Sequence, residues 1–269
     1  MKAQVRKHGS AVALNQSIGK ALAVLRGFGG DRRALTLGEI AVAAGITKSS
    51  AQRITHTWQH LGYLRRNVHG KGWVLSPRLL TIGYAYLSGH ALIEGATSHL
   101  QALNMATGES VSMSEPDGTQ MVYVARFPSH LRFQIHMPIG RALPMFCTAA
   151  GRAYMSRLSP KEVNDILDRS ALRPLTPNTV VDRKRILGLV YRAREIGYAC
   201  ANQECYRGDL TIGAAVMGPH GRPVAAINIA GTTSRWTLDQ LAQRWAPLLM
   251  ETARAASSGM AERIAVGGE

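Results

Sequence analysis

Between Thr47 and Leu61 the chain sets Lys48, Ser49, Gln52, His56 and Gln59, with Arg53 on the flank, along one side of a helix laid out at about 100° per residue. That side carries no carboxylate and many long hydrogen-bonding groups. Such a row suits a major groove, where bases offer donors and acceptors and phosphates line both rims. An ordinary surface helix would mix in Glu and Asp. The expected buried side is centred on Ile54 and takes in Thr47, Ser50, Ala51, Thr57, Trp58 and Leu61.

A second group of reactive side chains lies further on: Cys147, Cys200, Cys205, Glu204 and Asp209. A thiol nucleophile at Cys147 with His136 as base is one reading, but no third member or oxyanion hole accompanies it. The Cys200–Cys205 spacing, without a second pair, is not a zinc signature, so no metal or other cofactor is expected. The same two thiols could serve a redox-sensing regulator. Glu204 and Asp209 read as polar ligand contacts or turn anchors, since a hydrolytic pair would need a water and a leaving group that the sequence does not place.

The elements that position the first group are legible. Thr36 and Glu39 form a capping box, Gly45 suits a left-handed stop, and Thr47 caps the next helix. A preceding helix over 17–28 carries Ile18, Leu22, Leu25 and Phe28 on one stripe. Residues 62–75 read as a hairpin turning through Asn67–Gly72 and bearing Arg65, Arg66, His69 and Lys71. Three helices and a basic hairpin make a winged helix-turn-helix. The alternative for the hairpin cations is a solvated edge that discourages strand pairing.

Charge follows the same division. The chain of 269 residues has net charge +15, and residues 1–90 hold 13 Lys or Arg against 2 carboxylates, +11 of that total. A positive field on one small unit points to a polyanion, most simply nucleic acid; a membrane surface is the weaker rival, with no lipid anchor or basic amphipathic helix present. No apolar run reaches the roughly 18 residues of a membrane helix, the basic N-terminus is too short in apolar residues for a signal peptide, and three cysteines form no disulfide framework. A cytoplasmic protein is expected.

Residues 1–14 read as a basic disordered arm. Residues 77–89 (PRLLTIGYAYLSG) form a linking helix. Beyond it come a helix near 93–106, strands 110–115, 120–127 and 131–138, a loop, a helix from Thr148, helices 160–169 and 181–196, strands 198–204, 209–217 and 222–231, and a last helix over 237–258. Blocks of strands and helices favour an α+β fold with an antiparallel sheet.

Over about residues 15–258 the chain resembles the IclR family of bacterial transcription regulators. The resemblance rests on SIGKALAVLRGF and LTLGEIAVAAGITKSSAQRITHTWQHLGYLRR in the first part, and on GRALPMFCTAAGRAYMSRLS, AREIGYACANQECYRGDLTIGAAV and GRPVAAINIAGTTSR in the second. GRALP is most similar to regulators of aromatic-acid breakdown. Arg152 stands where the family commonly has Lys, Met217 where Pro often follows the Ala-Ala pair, and the usual acidic cluster is reduced to Asn202, Gln203 and Glu204, which suits an anionic ligand.

The resemblance implies a winged helix-turn-helix over 15–76, a linker helix over 77–92 and a GAF-like effector domain over 93–258. It implies dimers or tetramers on double-stranded operator DNA, and no enzyme activity. DNA contacts would come from Lys20, Thr47, Lys48, Ser49, Ser50, Gln52, Arg53, His56, Arg65, Arg66, His69 and Lys71. A small carboxylic acid would sit among Arg141, Leu143, Met145, Thr148, Ala149, Glu204, Gly208, Asp209, Thr211, Asn228 and Ala230. Amides at the helix start near Thr148 and the Arg141 side chain are candidate partners for the acid.

Overall fold

The computed structural model describes residues 15–29, 34–130, 135 and 137–266, the side chains of 259–266 excepted. The expected arm at 1–14 and most of the expected strand at 131–138 lie outside the described residues. The chain divides into two units, Met1–Tyr86 and Leu87–Glu269.

The first unit opens with helix α1 (Gln16–Arg26), capped by the Asn15 side chain. Helix α2 (Leu37–Ala44) starts at the Thr36–Glu39 capping box and stops at Gly45, whose φ of 63° is left-handed. Helix α3 (Lys48–His60) starts at Thr47. A two-stranded wing follows, β1 (Leu64–Arg66) and β2 (Trp73–Leu75), paired Leu64 to Leu75. Val24, Phe28, Leu35, Ile40, Ala51, Leu64 and Trp73 form the core.

Two faces differ from the sequence expectation. On α1 it is Val24 that is fully buried, whereas Ile18 and Leu22 are exposed; periodicity finds an apolar stripe but not which flank of it meets a neighbour. On α3 the buried residues are Ala51 and Thr55, with Ile54 only partly covered and Leu61 exposed. Thr55 tolerates this because its hydroxyl donates to the Ala51 carbonyl at 2.8 Å. Trp58 ties α3 to α1 by donating Nε1–H to the Ala21 carbonyl at 3.0 Å. Helix α4 (Leu79–Ser88) ends this part of the chain and buries no residue.

The second unit contains α5 (Ala91–Thr107), β3 (Ser110–Asp117), β4 (Gln120–Phe127), β5 (Ala142–Pro144), a 3-10 turn at Met145–Cys147, α6 (Ala149–Met155), α7 (Pro160–Arg169), α8 (Arg183–Ile196), β6 (Ala199–Asn202), β7 (Asp209–Met217), β8 (Pro223–Thr232) and α9 (Leu238–Val266). The strands form one antiparallel sheet in the order β5-β4-β3-β8-β7-β6. The edge strand after β4 is Ala142–Pro144, which the sequence reading left in a loop; Ile135, Met137 and Pro138 are not in a strand. Three residues are too few to show alternation.

The two faces of the sheet divide by alternation. Val111, Met113, Ile212, Ala214, Ile227 and Ile229 face a core that also takes Leu100 and Leu103 of α5 and Leu241, Leu249 and Ala253 of α9. The other face carries Ser110, Ser112 and Ser114, all buried, with Asn228. Helix α6 lies directly on β7: a Cβ on Gly213 would come 2.7 Å from the Ala149 carbonyl carbon, so glycine is what permits the approach. No described helix is long and apolar enough to cross a membrane.

Candidate nucleic-acid interface and ligand cavity

In the first unit Lys48, Ser49, Gln52, Arg53, His56 and Gln59 of α3 are all exposed, as are Lys20 on α1 and Arg65, Arg66, His69 and Lys71 on the wing. Three of the named residues are engaged locally. The Thr47 hydroxyl oxygen accepts the Ser50 amide at 3.2 Å and lies 3.0 Å from the Ser50 hydroxyl, so both serve the start of α3. Arg66 stacks its guanidinium 4.0 Å from the Trp73 ring centroid, which fixes the wing while leaving the charge at the surface. Glu39, the described acidic residue of this unit, is turned into the α2 capping box. The solvent face of α3 is therefore cationic and rich in donors.

In the second unit the polar face of the sheet borders a two-lobed cavity. One lobe, about 40 Å³, is bounded by Ser110, Arg126, Ser129, Asp209 and Asn228 among others; the second, about 20 Å³, by Leu143, Cys147, Thr148, Glu204, Cys205 and Ala149 among others. Tyr123, Met137, Asp209, Thr211 and Asn228 border both. Of the residues named from sequence, Leu143, Thr148, Ala149, Glu204, Asp209, Thr211, Asn228 and Ala230 reach this cavity.

The others do not. Met145 is buried in a separate apolar cluster with Met121, Phe146 and Met155, because the 3-10 turn rotates it away. Gly208 holds the turn before β7 at φ 79°. Arg141 is exposed and donates to the Tyr206 hydroxyl at 3.4 Å. Glu204 borders the cavity but its charge is taken: Arg152 donates Nη1–H at 2.5 Å and Nη2–H at 2.6 Å to its two oxygens, and the Val180 amide donates to one of them. Thr148 accepts the Gly151 amide and donates to the Pro144 carbonyl, so it too is satisfied.

Arg126, which the sequence pattern does not single out, is the cation that borders this cavity among the described residues. Its guanidinium donates to Ser110 Oγ at 3.4 Å, Ser112 Oγ at 3.5 Å and the Ile135 carbonyl at 3.1 Å. Desolvation lowers its pKa, with Tyr123 and Asp209 opposing. Burial pushes Asp209 up to about 7 against the pull of Arg126. Asn228 is 3% exposed, and its Oδ1 is buried without a hydrogen-bond partner among the described residues. The alternation Ser110-Val111-Ser112-Met113-Ser114 was the available signal for a buried polar face.

The thiols are arranged differently from the Cys200–Cys205 pair. Cys147 and Cys205 bring their sulfurs to 3.5 Å. The contact with Cys147, followed by burial, raises the Cys205 thiol pKa; burial pushes Cys200 up to about 11. His136 lies outside the described residues. A larger cleft of about 610 Å³, lined by Arg152 and Glu204 among others, opens against α8 and β6. The charges of Arg152 and Glu204 satisfy each other, whereas Asn228 Oδ1 in the smaller cavity has no partner among the described residues.

Residues 84–258 match the model of the bacterial transcriptional regulator IclR C-terminal domain, and residues 17–68 that of the IclR helix-turn-helix domain. The chain belongs to the IclR family of transcriptional regulators. Similar IclR-type proteins include the Pca operon regulatory protein of Acinetobacter baylyi, 31% identical over 88% of this chain and 86% of that one. The p-hydroxybenzoate hydroxylase transcriptional activator of the same organism is 30% identical, covering 88% of each chain. A crystal structure described as a transcriptional regulator from Rhodococcus sp. RHA1 superposes with a TM-score of 0.77 at 32% identity, covering 93% of this chain and 99% of that one. An IclR homolog from Microbacterium hydrocarbonoxydans, crystallised with 4-hydroxybenzoate, shares the fold with a TM-score of 0.75 at 20% identity over 91% of this chain and 99% of its own. This IclR regulator thus has among its relatives a transcriptional activator for p-hydroxybenzoate hydroxylase.

Proposed function

We propose that the effector of this regulator is a hydroxylated aromatic monocarboxylate, such as the 4-hydroxybenzoate held by the Microbacterium homolog, and that it binds on the polar face of the sheet. The observation that carries this is Arg126, a guanidinium steadied by two buried serines and facing a cavity in which Asn228 Oδ1 has no partner among the described residues. A carboxylate pairs well with an arginine fork, and Tyr123, Met137 and Leu143 supply apolar and aromatic wall for a ring. The two lobes are each smaller than a ring, so Tyr123 and Met137, which border both, part to merge them.

In this reading residues 15–76 read DNA, the helix at 77–92 couples, and 93–258 sense the effector in the cytoplasm. Ser49, Gln52, Arg53 and His56 read base edges, while Lys20, Lys48, Arg65, Arg66, His69 and Lys71 meet phosphates. A second copy of the chain covers α4, where Leu80, Ile82, Tyr84 and Tyr86 are 74%, 58%, 71% and 48% exposed, and two copies match a palindromic operator.

The test is a thermal-shift and calorimetric screen of hydroxybenzoates, dihydroxybenzoates, hydroxyphenylpropanoates and short 2-oxo acids on the full chain. A ligand at a hundred times its Kd adds about 2.7 kcal/mol of stability. A flat response to every aromatic acid with a clear response to a 2-oxo acid overturns the effector class.

A further inference from the structure

Arg126 on β4, Ser112 on β3, Asn228 on β8 and Gly213 on β7 are successive cross-strand partners, so they form one row across four strands. Strands lie about 4.8 Å apart, and the Arg126 guanidinium leans back along this row to reach Ser112. Asn228 therefore sits beside the cation and borders both lobes, and its Oδ1 has no hydrogen-bond partner among the described residues. Gly213 contributes no side chain, and Asp209, at the start of β7, supplies the carboxylate that borders both lobes.

Among the described residues no hydrogen bond reaches the Asp209 carboxyl. The groups that face it are Arg126 and Tyr123 from β4, Cys205 and Tyr206 from the turn before β7, and Glu204 and Cys147 beyond them, with Glu204 committed to Arg152. Helix α6 presents Ala149 and Ala150 there, and β8 presents Asn228, Ala230, Gly231 and Thr232, while the Glu109 carboxylate, which borders the first lobe, is committed to Arg235 and Trp236. Arg126 is thus the free positive charge opposite Asp209 among the described residues.

Building on the effector reading above, we infer that Asp209 is a proton-linked counter-ion that sets both specificity and pH response. The effector carboxylate takes the Arg126 guanidinium, and Asp209 takes a proton from solvent. The resulting carboxylic acid donates to the effector hydroxyl oxygen. A second anion at Arg126 removes the charge that favours ionised Asp209, so binding raises its pKa from the free value of about 7. Between the free and bound values the complex holds more protons than the free chain. Affinity is flat below the free value and falls as pH rises through it, by up to about tenfold per unit.

The experiment is isothermal titration of the full chain with 4-hydroxybenzoate and with benzoate, at pH 6.0 to 8.5 in buffers of differing ionisation heat. For the wild type we expect uptake of roughly half a proton or more at pH 7.5 and a Kd that weakens above pH 7. Asp209→Asn should bind with no uptake and a Kd independent of pH. Asp209→Leu should lower the preference for 4-hydroxybenzoate over benzoate by about tenfold, the scale of one hydrogen bond. Binding by the wild type with no proton exchange and a pH-independent Kd overturns the inference alone, as does uptake that persists in Asp209→Asn. The wild-type series decides even if a variant fails to fold. No binding by either acid overturns the effector reading and this inference together.

Discussion

Replacing Glu204 with Gln would leave the Arg152 guanidinium, 1% exposed, without its counter-charge. In the wild type the two side chains meet through two short contacts, and Arg152 also donates Nε–H to the Phe146 carbonyl and Nη1–H to the Cys200 carbonyl, each at 3.0 Å. The Gln side chain could accept one of the two Arg152 bonds, but its amide would point a donor at either Arg152 or the Val180 N–H. Breaking a buried pair by removing one partner costs about 3–5 kcal/mol, because an uncompensated charge stays in the interior. For a unit of this size each kcal/mol moves Tm by roughly 2–4 °C, so Glu204→Gln should lower the transition of the second unit by roughly 6–20 °C. Thermal and urea unfolding of the full chain, followed by near-ultraviolet circular dichroism, measures this. The double variant Arg152→Met, Glu204→Leu should recover most of the loss, since desolvation of two charges offsets much of their attraction. A Glu204→Gln protein within about 1 kcal/mol of wild type would refute the reasoning, because that is the scale of a solvent-screened pair.

Other outcomes follow from single contacts. Gly213→Ala places a methyl 2.7 Å from the Ala149 carbonyl carbon and should cost about 1–3 kcal/mol in urea unfolding; an unchanged midpoint would show that α6 does not rest on β7. Arg53→Ala should weaken operator binding by about 1–3 kcal/mol in fluorescence anisotropy without altering the circular dichroism spectrum, and unchanged affinity would remove Arg53 from the interface. Mild oxidation with diamide followed by peptide mapping should yield a Cys147–Cys205 bridge in preference to one with Cys200, since only the former pair has its sulfurs in contact. Iodoacetamide at pH 7.5 should modify Cys200 slowly, because burial pushes its thiol up to about 11 and the thiolate is the nucleophile; rapid labelling would contradict the burial.

Each single substitution also bears on how far the chain can be read without its fold. Thr36, Glu39, Gly45 and Thr47 announce the helix-turn-helix because their hydrogen bonds close within four residues, and local bonds leave local patterns. The solvent face of α3 was legible for the same reason. The packed faces were not: Ile18 and Leu22 share the periodicity of core residues and yet point outward. In the second unit, eight named residues reach the cavity, but Arg126 was missed and Met145, Gly208 and Arg141 do not line it.

By itself the sequence determined where helices and most strands begin and end, where the basic charge lies and, through its resemblance, the family. Tertiary structure alone decided which polar groups meet. Cross-strand register puts Arg126, Ser112 and Asn228 in one row, though they are scattered over a hundred residues of chain. The folding of the 3-10 turn against the strand region sets Cys147 beside Cys205 and leaves Glu204 to Arg152. A side chain's partner across a sheet is fixed by pairing between distant strands, and spacing along the chain carries no record of it.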